Sequence, residues 1–248
     1  MMSPPGTTPA TPTAALTSFP AGGTAVVFGA GGGIGGALLA RLRAEPAFPV
    51  AIGFGRSSLP PIDLEDEASL AAAAAKAAEA GPLRLVIDAT GFLHDARQGP
   101  EKSWRDLDAA ALARAFALNA TGPALIMKHV LPLLPKAGKA VFATLSARVG
   151  SIGDNRLGGW YGYRASKAAL NQIVRTAAIE QRRRWPEALC LALHPGTVET
   201  PLSSRFMRDR LTIQAPAEAA TRLLAVIDAL GPGDSGGFFD HHGAPIPW

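Results

Sequence analysis

The stretch that decides the fold is Thr24-Ala25-Val26-Val27-Phe28-Gly29-Ala30-Gly31-Gly32-Gly33-Ile34-Gly35-Gly36. Its first five residues are apolar or β-branched and predict a strand, and the apolar spacing from Ile34 to Ala44 predicts a helix. The glycines between them let the backbone turn tightly and leave the first amides of the helix open to a phosphate group. This context favours a dinucleotide-binding turn over the alternative, an ordinary strand-to-helix turn without a ligand.

The rest of the chain repeats this alternation of strand and helix. Apolar runs predict strands at 50–54, 83–89, 141–145 and 189–194, and helical patterns lie between and after them at 67–80, 107–134, 161–184 and 216–230. Continuous apolar strands that alternate with helices indicate a parallel sheet covered on both faces. We therefore expect an α/β fold, a single Rossmann-type doubly wound parallel sheet, over residues 22–248. Residues 1–21 are rich in Pro, Thr, Ser and Ala, and we expect a flexible N-terminal arm.

Composition and charge narrow the classes of protein. The 248 residues carry 24 Lys+Arg against 20 Asp+Glu, a net charge of +4 that is too mild to predict nucleic-acid binding. The single cysteine, Cys190, excludes a disulfide framework within the chain. His241 and His242 would point to opposite sides of an extended chain, so we expect no metal. No stretch reaches the roughly 18 apolar residues of a membrane helix, and we expect a cytoplasmic protein without a membrane partner.

A tyrosine and a lysine stand near the start of the predicted helix 161–184, in the segment Tyr163-Arg164-Ala165-Ser166-Lys167. Residues four apart share one helical face, so the ammonium group can lie beside the phenol. A free phenol has a pKa of about 10, and a neighbouring cation lowers it towards the working range. The spacing is compatible with an acid/base pair, but by itself it does not favour this pair over the alternative, a surface lysine on an ordinary helix.

The glycine turn and the Tyr-Lys pair, in this order, resemble the short-chain dehydrogenase/reductase family. The family pattern Thr-Gly-x-x-x-Gly-x-Gly matches at Gly29, Gly33 and Gly35, with Phe28 in place of the threonine. Its Asn-Asn-Ala-Gly segment is matched loosely, and only Gly91 is kept. The segment 146–160 resembles the branch that contains the sniffer-type carbonyl reductases and the bacterial C-factor proteins.

The resemblance implies a catalytic set of Asn119, Ser146, Tyr163 and Lys167. In it, the backbone carbonyl of Asn119 holds a water in a proton relay to Lys167, and Ser146 polarises the substrate carbonyl. Seventeen residues separate Ser146 from Tyr163, more than the usual dozen or so in the family, and Ser151 remains the alternative serine. An insertion at 154–160 would account for the longer spacing.

The cofactor residues also follow largely from the resemblance. It implies contacts from Gly29, Gly33, Ile34, Gly35, Asp63, Gly91, Tyr163, Lys167, Pro195, Gly196, Val198 and Thr200. The choice between the two nicotinamide cofactors rests on Arg56-Ser57-Ser58, which follows the second strand without an acidic residue. An acid there would bind the ribose hydroxyls of NAD, whereas an arginine can pair with a 2′-phosphate. We therefore expect Arg56 to select NADP, with NAD less favoured.

These features predict an NADP(H)-dependent oxidoreductase that transfers hydride between nicotinamide and a carbonyl or alcohol substrate. The alternative is a cofactor-binding signalling or interaction protein of the C-factor kind, in which turnover is incidental. A nucleotide-sugar epimerase is disfavoured because the 54 residues after His194 leave little room for a substrate domain. We expect segments 154–160 and 202–214 to line the substrate pocket. Family analogy implies a homodimer or homotetramer, with the helices that contain Asn119 and Tyr163 at the interface.

Overall fold

The computed structural model describes residues 15–96, 98–203 and 213–248. Six strands form one sheet in the order β2-β1-β3-β4-β5-β8, and every neighbouring pair is parallel. They are β1 (Thr24–Phe28), β2 (Val50–Phe54), β3 (Leu83–Asp88), β4 (Ala140–Leu145), β5 (Ala188–His194) and β8 (Phe238–Asp240). A second sheet pairs β6 (Thr197–Val198) with β7 (Ile213–Gln214). The predicted parallel α/β sheet is confirmed.

Helices cover both faces of the sheet, as the buried side chains show. They are α1 (Gly33–Arg43), α2 (Glu67–Ala78), α3 (Ala109–Phe116), α4 (Gly122–Val130), α5 (Tyr161–Arg182) and α6 (Pro216–Ala229). One core packs α2, α4 and α5 on the sheet, through side chains that include Leu70, Ile126 and Leu170. The other core packs α1 and α6 on the opposite face, through side chains that include Leu38 and Leu223. The sheet is therefore doubly wound.

The end of the predicted N-terminal arm packs against the domain. Leu16 and Phe19 are buried in the core that contains α1 and α6. The amides of Thr17 and Ser18 donate to the carboxylate of Asp228 at 3.2 and 3.0 Å. The arm was predicted to extend to residue 21, and this is wrong for residues 15–21, because two apolar side chains in this polar segment find a site on the core. Residues 1–14 of the arm lie outside the described residues.

The helical pattern at 107–134, which is long enough for one or two helices, forms two α-helices, α3 and α4. A π-helical turn, Ala117–Thr121, joins α3 to α4, and Pro123 lies in the first turn of α4. Among the described residues, the stretch Ala109–Leu133 is the one helical segment long and apolar enough to cross a membrane by length and composition. It packs against α2 and α5, and a core helix passes the same test.

The order of the strands places a crevice between β1 and β3. From β1 the chain adds β2 on one side, and it then returns to add β3 on the other side. In open parallel sheets, ligands bind at such a switch point, outside the carboxyl ends of the strands. The glycine turn after β1 and Asp88 at the end of β3 both lie at this edge.

Candidate active site

A cavity of about 420 Å³ opens at the carboxyl edge of the sheet. The turn after β1, the segment after β3, the end of β4 and the start of α5 all contribute to it. Its lining residues are Gly31, Gly32, Gly33, Ile34, Gly35, Arg56, Ala89, Thr90, Gly91, His94, Leu145, Ser146, Tyr163, Lys167, Pro195, Thr200, Pro201 and Leu202. The cavity therefore joins the glycine turn to the Tyr-Lys pair, as the sequence predicts.

The glycine turn has the shape of a phosphate cradle. Gly29 adopts a φ of +80°, and a Cβ there would lie 2.8 Å from the backbone of Ala89. A Cβ on Gly35 would overlap the carbonyl oxygen of Gly29. Beside Gly31, in contrast, no described atom lies within 4 Å of a built Cβ, so this wall is open to the cavity. The helix α1 starts without a side-chain cap, which leaves its first amides available to an anion.

Tyr163 and Lys167 both line the cavity from the first two turns of α5. The Lys167 ammonium donates to the carbonyl oxygen of Leu145 at 2.8 Å. Burial raises the pKa of Tyr163 to about 12. Burial also lowers the pKa of Lys167 to about 8, and the charge of Asp88 partly opposes that shift. The pKa of Tyr163 therefore moves opposite to the expected lowering, because burial disfavours the charged phenolate.

Asp88 is a buried carboxyl group at the end of β3. It accepts hydrogen bonds from the hydroxyls of Thr144 and Thr90, at 2.6 and 2.5 Å, and from the amide of Thr90 at 3.0 Å. Burial raises the pKa of Asp88, although these hydrogen bonds and Lys167 act against the increase. Asp88 occupies the first position of the loosely matched segment that ends at Gly91, and it puts an acid near the lysine.

Asn119 lies within the π-helical turn and is fully buried. Its side-chain amide bonds to both backbone groups of Phe92, accepting from the nitrogen at 2.7 Å and donating to the oxygen at 2.8 Å. A Cβ built on Gly91 would lie 3.8 Å from both Asn119 Oδ1 and Lys167 Nζ. Asn119, Gly91 and Lys167 therefore meet at the floor of the site.

Ser146 lines the cavity immediately after β4, whereas Ser151 is not among its described lining residues. The Ser146 hydroxyl donates to Asn171 Oδ1 at 2.6 Å, and Ser151 Oγ accepts from the amide of Asp154 at 3.0 Å. Arg164, on α5, donates hydrogen bonds to the carbonyls of Val149, Gly158 and Gly159. These bonds hold the loop between Ser146 and Tyr163, which contains the residues that lengthen this spacing, against α5.

The segment after β5 lines the cavity at two of the four positions expected to contact the cofactor. Pro195 and Thr200 line it, while Gly196 turns the chain with a φ of +80° and Val198 is buried in β6. Leu202 also lines the cavity, and residues 204–212 of the expected pocket segment lie outside the described residues. Among the described lining residues none comes from 154–160, so that expectation is wrong for the part of the cavity described.

Arg56 lines the cavity with an exposed side chain. Ser58 is used by its own turn, since its hydroxyl bonds to the backbone of Gly55 and Pro60. Asp63 is exposed and accepts from the amide of Glu65 at 3.0 Å. Asp63 is not among the described lining residues, and its contact with the cofactor remains a prediction.

Several lining residues were not predicted from the sequence. Thr90, His94, Leu145 and Pro201 face the cavity, and Asn171 supports it through Ser146. Asn171 follows Tyr163 and Lys167 at successive intervals of four, and this helical spacing could have identified it.

The histidines near the C-terminus form a contact that the sequence did not predict. The rings of His241 and His242 lie 4.1 Å apart, and His194 and His241 meet edge to face at 6.3 Å. The prediction that His241 and His242 point apart is wrong, because both lie in the turn after β8 rather than on extended chain. Within the described ranges, no group of three or more His, Cys, Asp or Glu residues could hold a metal ion.

The chain matches a known protein family over most of its length. Residues 38–228 fit the family model described as enoyl-(acyl carrier protein) reductase. The C-signal protein of Myxococcus xanthus is 40% identical over 169 residues, which cover 68% of this chain and 94% of that protein. A 1-hydroxy-2-glutathionyl-2-methyl-3-butene dehydrogenase of Rhodococcus sp. (strain AD45) is 34% identical over 194 residues, 76% of this chain and 79% of that protein.

Solved structures agree with these sequence relatives. The NADPH-bound carbonyl reductase from chicken fatty liver superposes with a TM-score of 0.81 at 26% identity, covering 94% of this chain and 97% of that one. The carbonyl reductase Sniffer of D. melanogaster shares the fold, with a TM-score of 0.78 at 21% identity over 91% of this chain and 99% of that one. With the glycine turn, the Tyr-Lys pair and the parallel sheet in their predicted places, the chain belongs to the short-chain dehydrogenase/reductase family of oxidoreductases.

Proposed function

We propose that the protein is an NADP(H)-dependent oxidoreductase that transfers hydride between nicotinamide and a carbonyl or alcohol substrate, with Tyr163 as the acid/base. The observation that carries this proposal is one cavity lined by the glycine turn at one end and by Ser146, Tyr163 and Lys167 at the other. Such a cavity can hold a dinucleotide on the helix amides and a small carbonyl compound against the phenol.

Arg56 supports NADP over NAD. Its guanidinium stands at the cavity after β2, where a fork of N–H donors can pair with a 2′-phosphate. A related structure, the carbonyl reductase from chicken fatty liver at 26% identity, was solved with NADPH bound.

The side chains divide the chemistry among them. A nicotinamide held by the glycine turn would supply the hydride. Tyr163 would donate its proton to the carbonyl oxygen on which negative charge develops. The ammonium of Lys167 stabilises the phenolate left behind, and Ser146 donates a hydrogen bond to the same oxygen. Asn119 would hold, on its backbone carbonyl, a water that returns a proton through Lys167. The high pKa of Tyr163 keeps its proton in place until the substrate arrives.

The alternative function rests on one observation, the 40% identity to a protein named C-signal. In that alternative, the cavity would bind a cofactor to control an interaction, and turnover would be incidental. The complete set of Ser146, Tyr163 and Lys167 in one cavity supports catalysis instead, because binding alone does not need a proton donor.

The test is a panel of aldehydes and ketones assayed for oxidation of NADPH and, separately, of NADH. We expect turnover of at least one apolar carbonyl compound, with NADPH preferred. NADPH that binds tightly in a direct titration without any turnover across the panel would favour the alternative. Tighter binding of NADH than of NADPH would contradict the cofactor assignment.

We also propose a cytoplasmic homodimer or homotetramer. Two large apolar side chains support self-association, because Phe116 at the end of α3 and Ile179 on α5 are 37% and 51% exposed. The helix α3 leads into the turn that contains Asn119, and α5 carries Tyr163. Family analogy assigns these two helices to the interface between subunits.

A further inference from the structure

Asn171 stands directly behind the serine of the site. It lies on α5, four residues after Lys167 and eight after Tyr163, and only 2% of it is exposed. Its Oδ1 accepts the hydroxyl proton of Ser146 at 2.6 Å, a short distance for such a bond. Its Nδ2 is buried and has no hydrogen-bond partner among the described residues. Both N–H donors of this amide nitrogen are therefore unsatisfied among the described residues.

This orientation conflicts with the role of Ser146 in the proposed reaction. A serine hydroxyl has a single proton, and here that proton is directed to Asn171 and away from the cavity. A serine in this state offers only lone pairs to a substrate, and lone pairs repel a carbonyl oxygen. Ser146 must release its proton from Asn171 before it can donate to the substrate.

A half-turn of the Asn171 amide removes the conflict without moving the helix. The oxygen and nitrogen of the amide are nearly equal in size, so exchanging them preserves the packing. Nδ2 would then donate to Ser146 Oγ, and the serine proton would be free to point into the cavity. A chain from Asn171 through Ser146 to the carbonyl oxygen makes each donor stronger, and the buried Nδ2 gains the partner that it lacks.

We propose that Asn171 is a positioning residue that holds the Ser146 proton in the resting site and, by reversing its amide, turns Ser146 into a hydrogen-bond donor when a carbonyl substrate binds. The inference rests on the proposed function, since it requires a substrate oxygen in the cavity. Asn171 itself does not touch the reacting atoms, and it acts only through the serine hydroxyl.

The test compares four proteins: the wild type, Asn171→Asp, Ser146→Ala and the double variant that carries both changes. An ionised carboxylate can only accept, so it holds the serine proton permanently, and we expect kcat for carbonyl reduction to fall about 100-fold at pH 8. The NADPH Kd should stay within about threefold. Lowering the pH protonates the buried carboxyl, whose pKa burial raises, and a protonated acid can donate to Ser146. We therefore expect kcat of this variant to recover as the pH falls.

The double variant separates positioning from a structural defect. If Asn171 acts through Ser146, then Asn171→Asp causes no further loss of kcat once the serine is alanine. Gln181→Glu is the matched control, because Gln181 is also a buried amide on α5 with an unpartnered nitrogen among the described residues, and it lies ten residues further along. This control should lower thermal stability to a similar extent and leave kcat of the folded protein unchanged.

The possible outcomes distinguish a failure of the role proposed for Asn171 from a failure of the proposed function. Additive losses in the double variant, or a pH-independent loss in Asn171→Asp, would overturn the role of Asn171 while wild-type turnover keeps the proposed function. A wild-type protein that binds NADPH and turns over no carbonyl compound overturns both. If Asn171→Asp does not fold, Asn171→Leu replaces it, with an expected loss of about tenfold that disappears in the Ser146→Ala background and does not recover at low pH.

Discussion

Tyr163 and Lys167 lie one helical turn apart, and burial moves their pKa values in opposite directions. The pKa of the phenol rises to about 12 and that of the ammonium falls to about 8, since burial disfavours the charged form of each. At neutral pH the tyrosine therefore holds its proton, and the lysine is still mostly charged. A protonated phenol beside a cation suits a group that donates a proton to a substrate oxygen.

Arg56 is the residue on which cofactor choice depends. Arg56→Gln removes the positive charge that would pair with a 2′-phosphate, and we expect the NADPH Kd to rise by about 10-fold to 100-fold. NADH binding should be nearly unchanged, because NADH lacks that phosphate. Fluorescence titration measures both constants. Arg43→Gln, at the far end of α1, is the control, and an equal loss for NADPH and NADH in Arg56→Gln would argue against the assignment.

The buried His194 should make the free energy of unfolding decrease in acid. Burial lowers the pKa of His194 from 6.5 to about 4, and the positive charges of Arg148 and His241 add to this shift. The negative charge of Asp240 opposes it. A lowered base pKa means that the unfolded state binds more protons in this range, so stability is full above pH 6.5 and is lost as the pH falls towards 4. The loss is on the order of 3 kcal/mol.

Urea unfolding between pH 7 and pH 4 measures this effect. His194→Gln cannot take up the proton, and its free energy of unfolding should fall less steeply with acid than that of the wild type. Parallel curves for wild type and His194→Gln would refute the prediction.

At the scale of elements, the apolar runs predicted strands and helices to within a few residues. The runs at 24–28 and 50–54 match β1 and β2 at both ends, because these strands are bounded by turns that local sequence determines. The π-helical turn at Ala117–Thr121 could not be predicted, since no local signal distinguishes it from the α-helix around it. Its position is tied to tertiary contacts, above all those of Asn119 with Phe92.

Lys139, just before β4, connects the N-terminal segment and the end of α6, which are far from it in the sequence. Its ammonium donates to the carbonyls of Ile227, Asp228 and Leu230 at the end of α6 and to the hydroxyl of Ser18, at 2.7 to 2.8 Å. Lys139→Met leaves those carbonyls without this donor, and we expect the free energy of unfolding to fall by about 2 kcal/mol. Chemical denaturation tests this, with the exposed Lys136→Met as control. A loss equal to that of the control would contradict it.

At the scale of the whole molecule, the sequence predicted the fold and most of the cavity, and it missed features that depend on folding. Ser146 was found because it follows a predicted strand, and Tyr163 and Lys167 were found because they match the family pattern near the start of a predicted helix. The hydrogen bond from Ser146 to Asn171 spans 25 residues, and the contacts of residues 15–21 with α6 span more than 200. Such pairings follow from packing and leave no periodic signal in one sequence.

Assembly is a property of the whole molecule that the exposed apolar side chains predict. We expect a dimer or tetramer by light scattering, and a double variant, Phe116→Arg with Ile179→Arg, should shift it towards the monomer because charge at an apolar interface is costly. Leu59→Arg, at a position 91% exposed, serves as control and should not change the mass. A wild-type monomer at high protein concentration would refute the proposed assembly.

The most direct measurement of the central claim compares Tyr163→Phe with Tyr161→Phe, the other tyrosine of the chain, in NADPH-dependent carbonyl reduction. Removing one hydroxyl from Tyr163 should lower kcat at least 100-fold or so, the range for a lost general acid, and leave the NADPH Kd within about threefold. Tyr161→Phe should retain most of its turnover. Turnover near the wild-type rate in Tyr163→Phe would contradict the account.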